Sequence, residues 1–426
     1  MTERDEAATA DGGAARISLF VGKGGVGKST LATATAVRAA ATGERVLLVS
    51  TDQAHSIGDV LGTSITPTGE QAPTRVLADL DTAHAGGGVL DALALDTLAL
   101  LAHQWRDNAG VLSRRFPDSD VGDLAPEELS AFPGVQEVLG LHAVGQLADS
   151  GAWDLVVVDC ASTADAMRML TLPATFALYV ERAWPRHRRL SSGDDPRTAA
   201  VVGLLERIAA GAEQLSTLLT DASRVGAHLV MTAERVVAAE AVRTLGSLAL
   251  MGVPVTELIV NQILLQDDSF EYRNLPAHPA FDWYSERIAE QRVVLDDLDR
   301  AIGDVSLVMV PHLAGEPIGT KALGELLDAA RRRDGSPPPG PLRPVVDRES
   351  GSGLDAVYRL RVQLPQVDST ALSLGRVDDD LIIGVGAMRR RVRLASVLRR
   401  CIVLDAALRG SELTVRFRPN PEVWPA

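Results

Sequence analysis

A short glycine-rich segment carries the residues with the clearest chemistry. Residues 22–30 read Gly-Lys-Gly-Gly-Val-Gly-Lys-Ser-Thr, directly after an apolar run and before a segment with helical spacing. Glycines let the backbone curl so that successive N–H groups point at phosphate oxygens, and a helix N-terminus adds positive potential. The pattern predicts a loop that binds the phosphates of a nucleotide, and a glycine-rich turn without a ligand is the alternative.

The polar residues of this loop have separate predicted roles. We expect the amine of Lys28 to reach the β- and γ-phosphates, the hydroxyl of Ser29 to bind Mg²⁺, and Thr30 to donate near the α-phosphate. Backbone N–H groups between them supply the remaining donors, from Gly24, Gly25, Val26 and Gly27. The predicted ligands are therefore ATP and Mg²⁺.

Two acidic residues follow apolar runs that are typical of strands. Asp52 comes just after the run 46–50, and Asp159 ends the run 155–159. In an α/β sheet, such positions lie beside the ligand crevice. We expect Asp159 to hold Mg²⁺ through a coordinated water, and Asp52 to orient the attacking water or take its proton. Capping of the following helix is the alternative role for Asp52.

An amide follows another of these runs. Asn261 comes directly after the run 257–260. Its side chain has both a donor and an acceptor, which suits the hydrogen-bonding edge of adenine. We predict that Asn261 contacts the base of the nucleotide.

These residues require a scaffold in which several strands end at one edge. Seven short apolar runs lack polar alternation, as strands buried on both faces do. They lie at 17–21, 46–50, 155–159, 177–180, 227–231, 257–260 and 305–310. Segments with helical spacing lie between them, at 29–41, 198–219 and 235–249. The alternation predicts a doubly wound α/β domain with a mostly parallel sheet.

The chain is long enough, at 426 residues, for more than one domain. We predict a disordered tail over 1–14 and the P-loop ATPase domain over 15–333. Within that domain, the Ala- and Leu-rich residues 85–150 interrupt the alternation and predict a helical insertion. The Pro/Gly cluster predicts a linker over 334–348. Strand-like alternation and turn signals predict a small all-β sandwich over 349–426.

Composition excludes several classes of protein. The net charge is −14 and aromatic residues make up 4%, which argues against a nucleic-acid binder. The sequence has no uninterrupted apolar stretch long enough to span a membrane, so we expect at most peripheral membrane contact through a partner. Two cysteines cannot build a disulfide framework, and a reducing cytoplasm is the expected compartment.

Lysine is rare in this chain. Only Lys23, Lys28 and Lys321 are lysines among 42 basic residues, and the others are arginines. Because almost all other basic residues are arginines, two lysines in one loop indicate that a compact amine is needed there. Lys23 stands out because an ordinary phosphate loop needs no lysine at that position.

Taken together, these residues resemble the family of the arsenical pump-driving ATPase (ArsA) and the tail-anchored-protein targeting ATPases. The resemblance covers roughly 15–330 and rests on the phosphate loop with its extra lysine, a deviant Walker A motif. It also rests on 52–56, 159–170, 260–262 and 310–319. The C-terminal module resembles the α-crystallin-like domain of some family members.

The resemblance implies a homodimer in which Lys23 reaches the partner's nucleotide and acts as an arginine finger does. A solvated loop lysine is the alternative for Lys23. Lys23, Lys28 and Asp52 would then form the catalytic set, and Pro311 would join Asn261 in binding the nucleotide.

The expected function is an anion-transporting-ATPase-like enzyme whose nucleotide state opens and closes an apolar helical groove. The client would be a hydrophobic protein segment or an amphipathic ligand. One alternative is an ATPase that drives an arsenite or antimonite pump, although a thiolate cluster needs more than two cysteines. Another is a nucleotide-switched scaffold with slow hydrolysis, because Cys160, Ser162, Ala164 and Asp165 replace the Thr, Pro, Gly and His of the family pattern, and Gln53 replaces a proline.

Overall fold

The N-terminal part of the chain builds a nine-stranded sheet in the computed structural model. The structure describes residues 13–52, 56–69, 72–77, 88–103, 135–163, 166–167, 170, 210–264, 278–340, 344–364, 367, 369–385 and 388–424. The strands are β1 (Arg16–Gly22), β2 (Arg45–Ser50), β3 (Thr74–Leu77), β4 (Val89–Ala94), β5 (Leu155–Asp159), β6 (Val225–Thr232), β7 (Val255–Ile263), β8 (Ser306–Pro311) and β9 (Arg331–Arg332). Their hydrogen-bonded order is β3-β4-β2-β5-β1-β6-β7-β8-β9.

Helices alternate with these strands. They are α1 (Lys28–Ala41), α2 (Ile57–Leu61), α3 (Val135–Asp149), α4 (Arg235–Met251), α5 (Pro279–Ile302) and α6 (Gly319–Asp328). Residues 97–103 and 210–220 are also helical. α5 begins where the ring of His278 accepts a hydrogen bond from the Ala280 N–H and Pro279 occupies the first turn. α4 ends at Gly252, whose φ of 80° suits a left-handed cap.

The described chain divides into two compact units. The first takes its described residues from Met1–Leu19, Ser29–Leu218 and Ile318–Gly324. In it β2 pairs in parallel with both β4 and β5, and β3 pairs antiparallel with β4. Every residue of β5 is buried, which explains its continuous apolar sequence. The arginine–aspartate pair Arg45 and Asp154 joins the beginnings of β2 and β5.

The second unit takes its described residues from Phe20–Lys28, Leu219–Pro317 and Glu325–Ala426. In it β6, β7 and β8 pair in parallel, and β9 pairs antiparallel with β8. α5 buries an apolar stripe at helical spacing, and the stripe contains one polar residue. Its buried members are Ile288, Gln291, Val294, Leu295, Leu298 and Ile302.

The C-terminal module also belongs to the second unit and consists of two antiparallel sheets. Its strands are β10 (Val345–Ser350), β11 (Val357–Gln363), β12 (Leu372–Val377), β13 (Asp380–Val385), β14 (Met388–Arg393), β15 (Cys401–Arg409) and β16 (Glu412–Pro419), with a short helix, α7 (Ser396–Arg399). One sheet has the order β10-β11-β16-β15 and the other β12-β13-β14. Alternating buried residues of β11, β13 and β16 face the core, as in a sandwich.

The last turn of α4 is part of the core of this module. Leu250 is 4% exposed and packs with the buried module residues. The guanidinium of Arg390, on β14, donates to the Ala249 carbonyl at 2.8 Å, where a cation complements the negative end of a helix. Burial lowers the pKa of Arg390 to about 10. The module and α4 therefore share one hydrophobic core.

The structure confirms the predicted fold class, a mostly parallel α/β sheet with a small all-β module. It corrects two boundaries. The predicted helical insertion 85–150 contains β4, which pairs with β2, and its residues 104–134 lie outside the described ranges. The predicted linker 334–348 contains the start of β10, which pairs with β11. The predicted strand at 177–180 and the tail, apart from residues 13 and 14, also lie outside the described residues.

Candidate nucleotide-binding site

The phosphate loop leads from β1 into α1. Gly25 and Gly27 have φ values of 82° and 91°, in the left-handed region that glycine adopts without strain. Space around the loop is equally restrictive, because a Cβ on Gly22 would lie 2.2 Å from the Val230 carbonyl oxygen. The local structure therefore favours glycine at 22, 25 and 27.

Lys28 begins α1 and folds back over the loop. The residue is 6% exposed, and its Nζ donates to the Lys23 carbonyl oxygen at 3.1 Å. A buried amine held by its own loop lies where incoming phosphates would meet it and the first N–H groups of the helix. This geometry fits the predicted role of Lys28.

Lys23 makes a contact that the sequence did not predict. Its Nζ lies 3.7 Å from a carboxylate oxygen of Glu240 on α4. The side chain of Lys23 is 45% exposed, so the pair lies largely in solvent and is weak. The amine is thus accessible, as a residue that acts on a second subunit has to be.

Asn261 lies against the phosphate loop. Its Nδ2 donates to the Val26 carbonyl oxygen at 2.9 Å, and the residue is 7% exposed. A Cβ on Gly27 would lie 2.2 Å from the same nitrogen, so glycine at 27 makes room for the amide. Contact with adenine stays a prediction for Asn261, and so does binding of the nucleotide by Pro311, which is half-buried and pairs with Ile263.

The predicted magnesium and catalytic residues of the first unit lie at the ends of β2 and β5. Ser50 and Asp159 are register partners, so these two strands finish side by side. Asp159 is completely buried, and its backbone oxygen accepts from the Thr51 N–H at 3.0 Å. Asp52 is half-buried, and its N–H donates to the Ser50 hydroxyl at 3.3 Å.

Ser29 and Thr30 form the next positions of α1. The hydroxyl of Ser56 donates to that of Ser29 at 2.9 Å, and Thr30 is half-buried. The donor set of this unit is hydroxyl and carboxylate oxygen, which suits a hard cation such as Mg²⁺ with one or two protein carboxylates. The residues present therefore fit the predicted ion. Gln53, Ala164 and Asp165 lie outside the described residues.

Comparison with models of protein families identifies the family of the chain. The model described as the anion-transporting ATPase, ArsA, matches residues 15–330. A second model, the HSP20-like domain found in ArsA, matches 355–417.

The chain belongs to the ArsA ATPase family.

Individual relatives of this ArsA-family chain agree with the family match. It is 73% identical over 412 residues to Protein Rv2184c of Mycobacterium tuberculosis, covering 96% of this chain and 98% of that protein. It is 23% identical to the putative arsenical pump-driving ATPase 1 of Aquifex aeolicus, covering 90% and 95% of the two chains. It is 25% identical to the ATPase get3 of Schizosaccharomyces japonicus, covering 73% and 91%.

Three residues around the ArsA-family site were not found from the sequence. Gln291 was detectable, since it is a polar residue within the apolar stripe of α5. Glu240 and Ser56 carry no such signal, because exposed or half-exposed polar residues of these types are common. Their roles depend on tertiary contacts with Lys23 and Ser29.

The two cysteines of this ArsA-family chain are free thiols. Cys160 and Cys401 are both buried. Within the described ranges no group of three or more His, Cys, Asp or Glu side chains could hold a metal ion. No helix in the described part of the chain has the length and apolar character needed to cross a membrane.

Proposed function

We propose that this ArsA-family chain binds and hydrolyses ATP with Mg²⁺ in the cytoplasm. One observation carries the proposal: glycines at positive φ shape a loop over which the buried Lys28 amine is held. That arrangement presents one fixed cation and a row of backbone N–H donors, the two features that a polyphosphate needs.

Each of the site residues has a separate role in the proposed phosphoryl transfer. Loop N–H groups at 24–27 and the Lys28 amine orient the phosphates and neutralise their charge, and Thr30 contacts the α-phosphate side. Ser29 and Asp159 would hold Mg²⁺, directly and through water. When bound, Mg²⁺ withdraws negative charge from the phosphate oxygens. Asp52 accepts the proton of the attacking water or orients that water.

Lys23 is proposed to act on the nucleotide of a second subunit in a homodimer. Its exposed amine and the deviant Walker A sequence support this role. Glu240 holds the amine only loosely, and an exposed ion pair contributes little energy, about 0–1 kcal/mol. Little energy is therefore required to release Lys23 toward a partner.

The proposed output is nucleotide-driven opening and closing of an apolar helical groove that holds a hydrophobic client. Its support is the Ala- and Leu-rich composition of 85–150, in which the described helical parts are α3 and 97–103. Driving an arsenite pump is the second candidate, favoured by the printed name of the Aquifex relative. Stimulation of ATP hydrolysis by arsenite would support that candidate, and stimulation by an apolar peptide would support the first.

Replacing Lys28 tests the proposal directly. Lys28→Ala removes the cation from the loop, and we expect ATP hydrolysis to fall by at least about 100-fold. The matched control is Lys321→Ala, the same substitution at a lysine of α6 outside the loop, which should keep wild-type turnover. Hydrolysis by Lys28→Ala at the wild-type rate would overturn the assignment of the site.

A further inference from the structure

Strand β7 contains a bulge near its carboxyl end, where Asn261 contacts the phosphate loop. Val260 pairs with Met309 and Ile263 pairs with Pro311, so β7 uses one residue more than β8 over this interval. Gln262 within it has a φ of 59°, a left-handed conformation that residues with a Cβ rarely adopt. Bulges of this kind redirect side chains beside functional sites.

The side chain of Gln291 binds the backbone of the bulge and of the residue that follows it. Its Nε2 donates to the Gln262 carbonyl oxygen at 3.0 Å, and its Oε1 accepts from the Leu264 N–H at 2.9 Å. Gln291 is 4% exposed on the buried face of α5. Because donor and acceptor are both engaged, the amide has one orientation and holds Gln262 in its strained conformation.

The residue directly before Gln262 contacts the phosphate loop. Asn261 is still in register with Thr232 of β6, and its Nδ2 donates to the Val26 carbonyl oxygen. The turn at Gln262 therefore begins immediately after a residue whose side chain is already fixed. If Gln262 left its left-handed conformation, the backbone next to Asn261 would shift, and Asn261 would no longer be held against Val26.

We propose that Gln291 is a positioning residue of the nucleotide site. It holds the bulge at Gln262 and thereby keeps Asn261 against Val26 in the phosphate loop. An apolar residue at 291 would continue the stripe of α5 and pack the core equally well, so the amide serves the bulge and not the helix. The proposal rests on the proposed function, since it requires that this loop binds ATP.

Gln291→Met tests the positioning role, because it keeps the length of the side chain and removes both hydrogen bonds. We expect the Kd for ATP with Mg²⁺, measured by titration calorimetry, to rise about tenfold. Leu295→Met, one turn further on the same buried face, is the matched control and should leave the Kd within about twofold.

A double substitution separates positioning from general destabilisation. If Gln291 acts through Asn261, adding Gln291→Met to Asn261→Ala will weaken ATP binding no further. Losses that multiply would show that Gln291 acts elsewhere and would overturn the proposal. A Gln291→Met variant with the ATP affinity of the wild type would overturn it as well.

Gln291→Glu provides a second route in case the methionine variant does not fold. A carboxylate still accepts from the Leu264 N–H but places an acceptor against the Gln262 carbonyl, so ATP affinity falls. Protonation restores a donor, and burial raises the pKa of an introduced carboxyl group. The affinity relative to the wild type should therefore recover as the pH is lowered. An affinity ratio that is constant with pH would contradict the proposal.

The two proposals fail in different ways. If the wild-type protein does not bind ATP, the proposed function is wrong, and the role of Gln291 in ATP binding is wrong with it. If the wild type binds ATP and Gln291→Met binds it equally well, the nucleotide site stands and the role of Gln291 is wrong.

Discussion

Two lysines of the phosphate loop lie close in sequence and contact different partners. The amine of Lys28 is turned inward onto the Lys23 carbonyl, whereas the amine of Lys23 points outward to Glu240. Arginine would not replace either residue, because the planar guanidinium is larger and its donors are fixed in a fork. The rarity of lysine in this chain agrees with this division of roles.

Asp52 provides the most direct residue-level prediction. Asp52→Asn keeps the shape of the side chain but cannot take a proton, so turnover should fall by about 100-fold or more while the Kd for ATP changes little. Single-turnover hydrolysis and calorimetry measure the two quantities. Loss of ATP binding in this variant would instead indicate a structural role for Asp52.

The same variant allows dimerisation to be measured. With ATP and Mg²⁺, Asp52→Asn should elute from a sizing column as a dimer because the nucleotide persists. Adding Lys23→Ala should restore the monomer without abolishing ATP binding. A dimer that persists without Lys23 would contradict the proposed contact across the interface.

The Arg45–Asp154 pair predicts a pH-dependent contribution to stability. Hydrogen bonding to Arg45 lowers the pKa of Asp154 below its ordinary value of 3.8. A carboxyl group with a lowered pKa in the folded state stabilises the fold above 3.8, and this stabilisation is lost as the pH falls through the folded pKa. Both side chains are more than a third exposed, so Asp154→Asn should cost only about 0.5 kcal/mol at neutral pH.

Urea unfolding from neutral to acidic pH measures this difference. The wild type and Asp154→Asn should converge in stability as the pH falls below 3.8. In an Arg45→Met background, Asp154→Asn should produce a smaller pH-dependent difference, which does not vanish because the N–H of residue 45 and Arg16 also lower the pKa of Asp154. An undiminished difference would show that another group sets the pKa of Asp154.

At the level of elements, the junction of β1 and α1 depends on glycine. Gly27→Ala places a methyl group 2.2 Å from Asn261 Nδ2 at a φ of 91°, so the loop or Asn261 has to move. We expect ATP affinity to fall by at least about tenfold, since the Val26 contact is displaced. Gly24 and Gly25 are unsuitable as controls because they belong to the same loop.

Gly324→Ala is the matched control for this substitution. Gly324 lies in α6, and a Cβ there meets nothing within 4 Å. Alanine should preserve ATP affinity and stabilise the helix slightly, by about 0.5–1 kcal/mol. Equal losses of affinity in both variants would show that the phosphate loop is not specifically sensitive to substitution.

The elements also show which features can be predicted from sequence. β5 and the strand β1 before the loop are continuous apolar runs, and burial on both faces requires such runs. β4 was predicted as helix because Ala and Leu favour helices, yet pairing with β2 makes it a strand. Local propensity is weak, and a tertiary contact between segments far apart in sequence overrides it.

The candidate site shows the same difference between local sequence signals and tertiary contacts. The phosphate loop and the strand end before Asn261 were predicted because both are local signals, whereas the contact of Asn261 with Val26 was not. The contacts of Lys23 with Glu240 and of Gln262 with Gln291 were not predicted, because they depend on the packing of α4 and α5. The sequence of a loop therefore predicts its conformation better than it predicts the residues that pack against it.

At the scale of the whole molecule, α4 connects two functional regions of the second unit. Its Glu240 contacts the phosphate loop, and its last turn lies in the core of the C-terminal module. Arg390 of the module donates to the Ala249 carbonyl in the last turn of the helix. The module is thus a structural part of the ArsA-family domain that precedes it.

Leu250→Ala tests this shared core. Removing the buried side chain should cost about 3 kcal/mol and lower the protection of both α4 and β16 in hydrogen exchange. Val236→Ala, on the same helix at 71% exposure, should change stability by less than about 0.5 kcal/mol. Unchanged protection of β16 in the Leu250 variant would show that the module folds independently of α4.

The shared core has a consequence for where the chain can be shortened. The composition changes at the proline cluster near 337, and the family match ends at 330, so a truncated gene would naturally stop there. Such a protein would keep Leu250 and lose the residues that cover it, leaving an apolar helix end in water. Aggregation of that fragment would then result from the exposed apolar end of α4 and not from a defect in the nucleotide site. Over evolution, substitutions in the last turn of α4 should be matched by changes on β14.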